Sequence, residues 1–196
     1  MAKFFKSDWF KCVLFLLILS VILCGTLAIL NDALSVSSEE RTLRALNKIY
    51  DREVEFTTSL DIDAGDDAIV NQYGQIEKIY KVENDLVFKS VGFNGYKNGT
   101  ITLWIKVVKE NGNFIINRIV QDGFTKQTLM SKFTSDYYDN FLIDVTDAYE
   151  NATYVFSPKE ETNTIQNAMS GATYSATAAC NAVNAVIVYL GGGNEK

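Results

Sequence analysis

Read along the chain, the hydrophobic positions change period three times. From Cys12 to Leu30 the sequence CVLFLLILSVILCGTLAIL carries no charge. As a helix rising 1.5 Å per residue it spans roughly 28 Å, about the hydrocarbon thickness of a bilayer. Lys3, Lys6 and Lys11 precede it and the next basic residue is Arg41. The positive-inside rule then sets residues 1–11 in the cytoplasm, residues 12–30 across the plasma membrane as a single pass, and everything after Asn31 outside. Trp9 and Phe10 fall where an interfacial aromatic belt sits. A cleaved signal peptide is the competing reading. The apolar run is longer than a signal core and no small-x-small cleavage site follows it, which favours a retained anchor.

A juxtamembrane stretch, residues 31–50, follows. Ser37 with Glu40 three residues on reads as a capping box, and Leu43, Leu46 and Ile49/Tyr50 recur at helical spacing, predicting a short amphipathic helix that packs on its own domain. Residues 51–68 are acidic and irregular. Asp61, Asp63, Asp66 and Asp67 surround Gly65, but the spacing lacks the terminal Glu of an EF-hand loop, and a solvated acidic loop is expected. The period then drops to two. Gln75–Val82 and Asp85–Val91 are short strand candidates. In 100–109, Ile101, Leu103, Ile105 and Val107 share one face while Thr102, Trp104 and Lys106 share the other. Asn111-Gly112 is the preferred pair for a tight hairpin turn, with 114–120 as the return strand. Residues 125–150, rich in Tyr and Phe, look mixed and helical. Finally Ala176, Ala179/Cys180, Val183, Val186/Ile187 and Leu190 form one stripe of a C-terminal helix, with Gly191-Gly192-Gly193 expected to stop it through a left-handed cap. The pattern predicts an α+β fold: one N-terminal transmembrane helix, then a single domain over 51–196 with an antiparallel sheet and a C-terminal helix.

Composition narrows the chemistry. Of 196 residues, about 150 remain outside the membrane segment, enough for one domain with a real core. The net charge is −6; the first eleven residues carry +2, so the rest carries −8. Such a domain is a poor polyanion binder, and nucleic acid is not an expected partner. There is no histidine, which removes His-dependent nucleophile systems and His-ligated metals. Cys12 and Cys24 lie in the apolar run and Cys180 stands alone. No disulfide framework and no four-cysteine metal or iron–sulfur site can form. Redox chemistry in this chain requires an organic cofactor.

One segment carries candidate chemistry. Ser170-Gly171-Ala172-Thr173-Tyr174-Ser175 opens directly onto the C-terminal helix. Free backbone N–H groups and the positive end of the dipole favour an anion there, Gly171 and Ala172 permit close approach, and Thr173 and Ser175 offer hydroxyls. No Lys follows and the glycine spacing is wrong for a P-loop; GxGxxG is absent. From the pattern alone, an N-capped helix with nothing bound is the commoner outcome, and the segment is a phosphate or anion seat and no more.

Asn167-Ala168-Met169-Ser170-Gly171-Ala172-Thr173 resembles the flavinylation motif of the FMN-binding domain family, D-x-x-(S/T)-G-A-(T/S), with Asn167 where Asp is usual. The resemblance implies FMN covalently held through a phosphoester to Thr173, with Asn167, Ser170, Gly171 and Ala172 completing the cofactor-binding motif, and a flavin transferase that uses FAD as donor. The order of elements is also similar to the G subunit of the Rnf complex and the C subunit of the sodium-translocating NADH:quinone reductase, each with one membrane helix and one extracytoplasmic FMN domain. Leu27–Asp32, Gly95-Tyr96 before the hairpin, and Asn181–Ala185 carry this likeness. Where the family has E-T-P-G-L-G, this chain has Lys126-Gln127-Thr128-Leu129-Met130-Ser131. The function so implied is electron relay in an ion-translocating ferredoxin:NAD+ oxidoreductase, beside other membrane redox subunits and without turnover of its own. The alternatives are a stand-alone extracytosolic FMN electron carrier and a flavin-free interaction domain.

Overall fold

The computed structural model describes residues 8–34, 37–54, 68–150 and 171–192. They divide into two compact units, Met1–Thr42 and Leu43–Lys196.

The first unit is dominated by α1 (Asp8–Leu34). Its stretch Phe10–Leu30 has mean hydropathy 3.0 and no part buried within the structure, and it is long and apolar enough to cross a membrane. The expected span 12–30 lies inside it. The helix is apolar all round: Phe15, Ile22, Leu27 and Ile29 are each more than half exposed. Its two hydroxyls are satisfied without water. Ser20 donates to the Leu17 carbonyl at 2.8 Å and Thr26 to the Leu23 carbonyl at 2.9 Å, as polar groups in an apolar surrounding must be. The cap at Ser37 forms as expected, its Oγ accepting the Glu40 N–H at 3.1 Å. It starts α2 (Ser38–Tyr50), whose second half belongs to the other unit.

The second unit is built on an antiparallel meander: β1 (Ile69–Val70), β2 (Gly74–Val82), β3 (Asp85–Gly92), β4 (Ile101–Glu110) and β5 (Asn113–Phe124), hydrogen-bonded in chain order. The β4–β5 hairpin closes at Glu110↔Asn113 through Asn111 (φ 52) and Gly112 (φ 94), the positive-φ pair that an Asn-Gly hairpin supplies. β5 continues four residues past Val120, and β1 is an addition the periodicity did not show.

Both faces of the sheet are covered. On one lie α5 (Thr173–Gly191) and two short helices, α3 (Ser135–Asp139) and α4 (Val145–Glu150), enclosing Phe88, Leu103, Ile105, Ile116 and Val183. On the other, Leu46 and Ile49 of α2 close over Tyr80, Val87, Trp104 and Val120. Each fully buried large apolar side chain contributes about 1.5–3 kcal/mol. This second layer is why Trp104, on the strand face opposite Leu103, is only 3% exposed.

Helix α5 lies against the sheet backbone. A Cβ at Gly92 would stand 1.9 Å from the Ala178 carbonyl oxygen and 2.4 Å from the Ala182 nitrogen, so only glycine fits there. Polar side chains fasten the contact: Ser90 Oγ donates to the Ala182 carbonyl at 2.7 Å, Asn71 Nδ2 to the Ala185 carbonyl at 3.0 Å, and Asn181 Nδ2 to the Phe93 carbonyl at 2.9 Å. One expectation needs correction. Ser175 to Ile187 is buried almost without interruption, so α5 is a central helix buried well beyond its apolar stripe; Ala178, Ala182 and Ala185, which lie between the stripe residues in sequence, are the ones that meet Gly92, Ser90 and Asn71. At the helix end Gly192 has φ −71 and its N–H still donates to Val188 O at 2.9 Å; the next residue, where a left-handed cap would fall, lies outside the described residues. Gly191 makes room for the Tyr149 ring. Gly193 and the acidic residues Asp61, Asp63, Asp66 and Asp67 lie outside the described residues.

Candidate functional site

Thr173 is the first residue of α5, after Ala172 as N-cap. Ala172 is buried and anchors the turn in the core, while Gly171 takes φ +78, the left-handed region that glycine enters at little cost. Thr173 is exposed, and among the described residues no hydrogen bond occupies its hydroxyl. The neighbouring hydroxyls are engaged. Ser175 is 1% exposed and donates to Gln127 Oε1 at 2.8 Å. Thr177 Oγ1 donates to the Thr173 carbonyl at 3.0 Å. Three hydroxyls within five residues are thus separated by burial and partner, and Thr173 is the one presented at the helix start. Gly171, Ala172 and Thr173 stand together there; Asn167 and Ser170 lie outside the described residues.

Two further segments meet this helix end, and Gln127 joins them. Its Oε1 accepts the Tyr96 N–H at 3.1 Å as well as the Ser175 hydroxyl, and its Nε2 donates to the Thr125 carbonyl at 3.0 Å. Gly95 N–H donates to Gly99 O at 2.9 Å, closing the 95–99 loop, and Thr100 and Thr125 hydroxyls meet at 3.0 Å. The sequence gives no sign of this bridge: Gln127 belongs to no motif, and its partner Ser175 is 48 residues away.

The 124–132 segment is also where backbone and surface depart from routine. Lys126 (φ 54) and Leu129 (φ 59) are left-handed without being glycine, at about 1–2 kcal/mol each. Leu129 nevertheless leaves 47% of its surface to solvent. A Cβ added to Gly171 would meet only Leu129 Cδ1 and Lys132 Nζ, both at 3.9 Å. Among the described residues, the turn is therefore bordered by an apolar side chain and a cation. Tyr174 (60% exposed), Phe124 (49%) and Tyr96 (36%) add exposed rings on the same three segments.

The two described cavities lie elsewhere. One of about 430 Å³ follows the outer edge of β5, and one of about 220 Å³ is lined by Tyr149, Leu190 and Gly191 at the C-terminal end of α5. Neither is lined by Thr173. Cys180 offers no second reactive centre: burial pushes its thiol up to about 12, and a thiol that stays protonated is a poor nucleophile.

Comparison with protein-family profiles, with curated proteins and with solved structures finds no match for this chain.

Proposed function

We propose that this chain is a membrane-anchored flavoprotein that carries FMN as a phosphoester on Thr173. We further propose that it relays electrons as the G-type subunit of an Rnf-like ion-translocating ferredoxin:NAD+ oxidoreductase. The observation that carries the reading is the exposed, unengaged Thr173 hydroxyl at the N-terminus of α5, with Ser175 and Thr177 tied down beside it.

The residues present fit the group. A phosphate on Thr173 stands where α5's free N–H groups and dipole favour negative charge, with Lys132 on the near side of Gly171. Leu129 and Tyr174 offer apolar and aromatic surface for a flavin ring. Leu129 occupies the place of the first glycine in the E-T-P-G-L-G stretch and takes φ 59, in the left-handed region. Attachment by a flavin transferase forms the Thr173 Oγ–phosphorus bond and breaks the diphosphate of FAD, releasing AMP. Bound FMN supplies exchange of one or two electrons; the protein tethers and orients it. The lysines at 3, 6 and 11 favour a cytoplasmic N-terminus and thus, on this reading, a domain on the outer side of the plasma membrane, where a covalent bond would prevent loss of the cofactor. Other membrane redox subunits are the electron partners on this reading.

The test is co-expression with a flavin transferase and in-gel flavin fluorescence after denaturation. The parent chain is expected to fluoresce and Thr173→Ala to lose the band. An unmodified parent mass would overturn the flavoprotein reading, and a band surviving Thr173→Ala would overturn the attachment site.

A further inference from the structure

The edge of the sheet carries a second surface, separate from Thr173. β5 is an edge strand, and the chain itself already adds to its outer side at one end. Ile115 bridges Asp144 in antiparallel sense, and the Ile116 N–H donates to the Ile143 carbonyl at 2.9 Å. Beyond that point the pairing stops. Two irregularities of the β4–β5 register, between Lys106 and Val107 and between Thr102 and Leu103, leave Asn117 and Asp122 without Cα partners on β4. Between them Arg118–Gln121 is regular ladder on its inner side, and its outer side has no backbone partner among the described residues. That outer side is the floor of the groove of about 430 Å³.

The two walls differ. On the α5 side, Ile119 packs into the core and Tyr138 donates to Gln121 Oε1 at 2.8 Å; Phe133 and Tyr138 make this wall aromatic, with Asp139 on it. On the α2 side, Val120 packs with Leu46 and Ile49, and Arg118 is held by both carboxylate oxygens of Asp51. Lys48 lines this wall and has no ion pair among the described residues. Buried strand edges are normally covered or blunted; here the edge is framed by two walls and, among the described residues, has no strand on it.

We propose that this groove receives an extended segment of a partner protein as a sixth strand, antiparallel to β5 and continuing the line begun by Ile143–Asp144. The partner's chemistry follows from the walls. Side chains of an added strand alternate between faces. Those facing Phe133 and Tyr138 are apolar and not acidic, because Asp139 is there; those facing Lys48 are acidic. Four open residues span about 13 Å at ~3.3 Å per residue, which suits a segment of about five residues.

The probe is a capped five-residue peptide alternating valine and glutamate, added to the full chain in neutral-lipid nanodiscs, with amide hydrogen exchange read by mass spectrometry. Exchange across 117–121 is expected to slow at least about tenfold. A peptide of the same sequence with N-methylated backbone is expected to give no slowing, and Lys48→Glu to weaken the effect about tenfold. Lys48 is a surface residue, so that variant folds. No slowing at millimolar peptide overturns the proposal, as does equal slowing by the N-methylated peptide. Protection of 117–121 without peptide, together with a dimer by light scattering, assigns the groove to a second copy and also overturns it. None of these readouts depends on flavin.

Discussion

At the scale of single residues, the candidate site rests on Gln127 as much as on Thr173. Gln127→Ala removes the acceptor of a buried hydroxyl and of the Tyr96 N–H, leaving Ser175 only the Thr128 carbonyl at 3.4 Å. A loss of about 1–3 kcal/mol is expected by urea denaturation, with a weaker flavin band if Thr173 is the attachment point; an unchanged midpoint would show that the bridge does not hold the segments. Thr173 was legible in the sequence because helix starts are local. Gln127 was not, because its role is set by contacts 31 and 48 residues away. Cys180 gives a second prediction at this scale. Burial pushes its thiol from 9.0 up to about 12, so the folded chain holds a proton that the unfolded chain releases first. This contribution is complete below pH 9 and is lost as pH rises toward 12, at about 1.4 kcal/mol per pH unit. Tyr137 and Tyr138, also pushed up by burial from 10.0, steepen the fall above pH 10. Cys180→Ala should therefore flatten the stability profile between pH 9 and 10; an unaltered slope in denaturant titrations would rule out the thiol.

At the scale of elements, the α5–β3 contact decides whether the fold closes. Gly92→Ala drives a methyl group into the backbone of Ala178 and Ala182, which no rotamer change relieves. A cost of about 3 kcal/mol, the upper part of the usual overpacking range, is expected. Gly123→Ala, with nothing within 4 Å, is the matched control. Equal midpoints for the two variants in thermal melts would mean that α5 shifts freely on the sheet. The hairpin and α5 were readable from periodicity because each is long enough for its pattern to repeat. α3 and α4, five and six residues long, fall in the 125–150 stretch read as mixed and helical, but their bounds were not readable, since such helices are stabilised by packing rather than by their own sequence. Tyr137, Tyr138 and Phe141 supply that packing through edge-on ring contacts. The burial of α5 on nearly every side was hidden: its stripe marked one buried face, while the small residues Ala178, Ala182 and Ala185 gave no sign that they lie against Gly92, Ser90 and Asn71.

At the scale of the molecule, the two units differ in what they present to their surroundings. α1 exposes apolar side chains on every side, satisfies its hydroxyls internally, and is long and apolar enough to cross a membrane. In the second unit every buried residue of both described cores comes from Leu46 onward. The capping hydrogen bond of α2 needs only Ser37 and Glu40. A chain beginning at Ser37 is therefore expected to be water-soluble and folded. Its urea midpoint should match that of the full chain in nanodiscs to within about 1 kcal/mol, a small part of the 5–15 kcal/mol that usually separates folded from unfolded states. Near-UV circular dichroism from Trp104 and the tyrosines, together with the midpoint, checks this. Loss of the aromatic signal, or aggregation of the shortened chain, would show that α1 contributes to the fold as well as to the anchor.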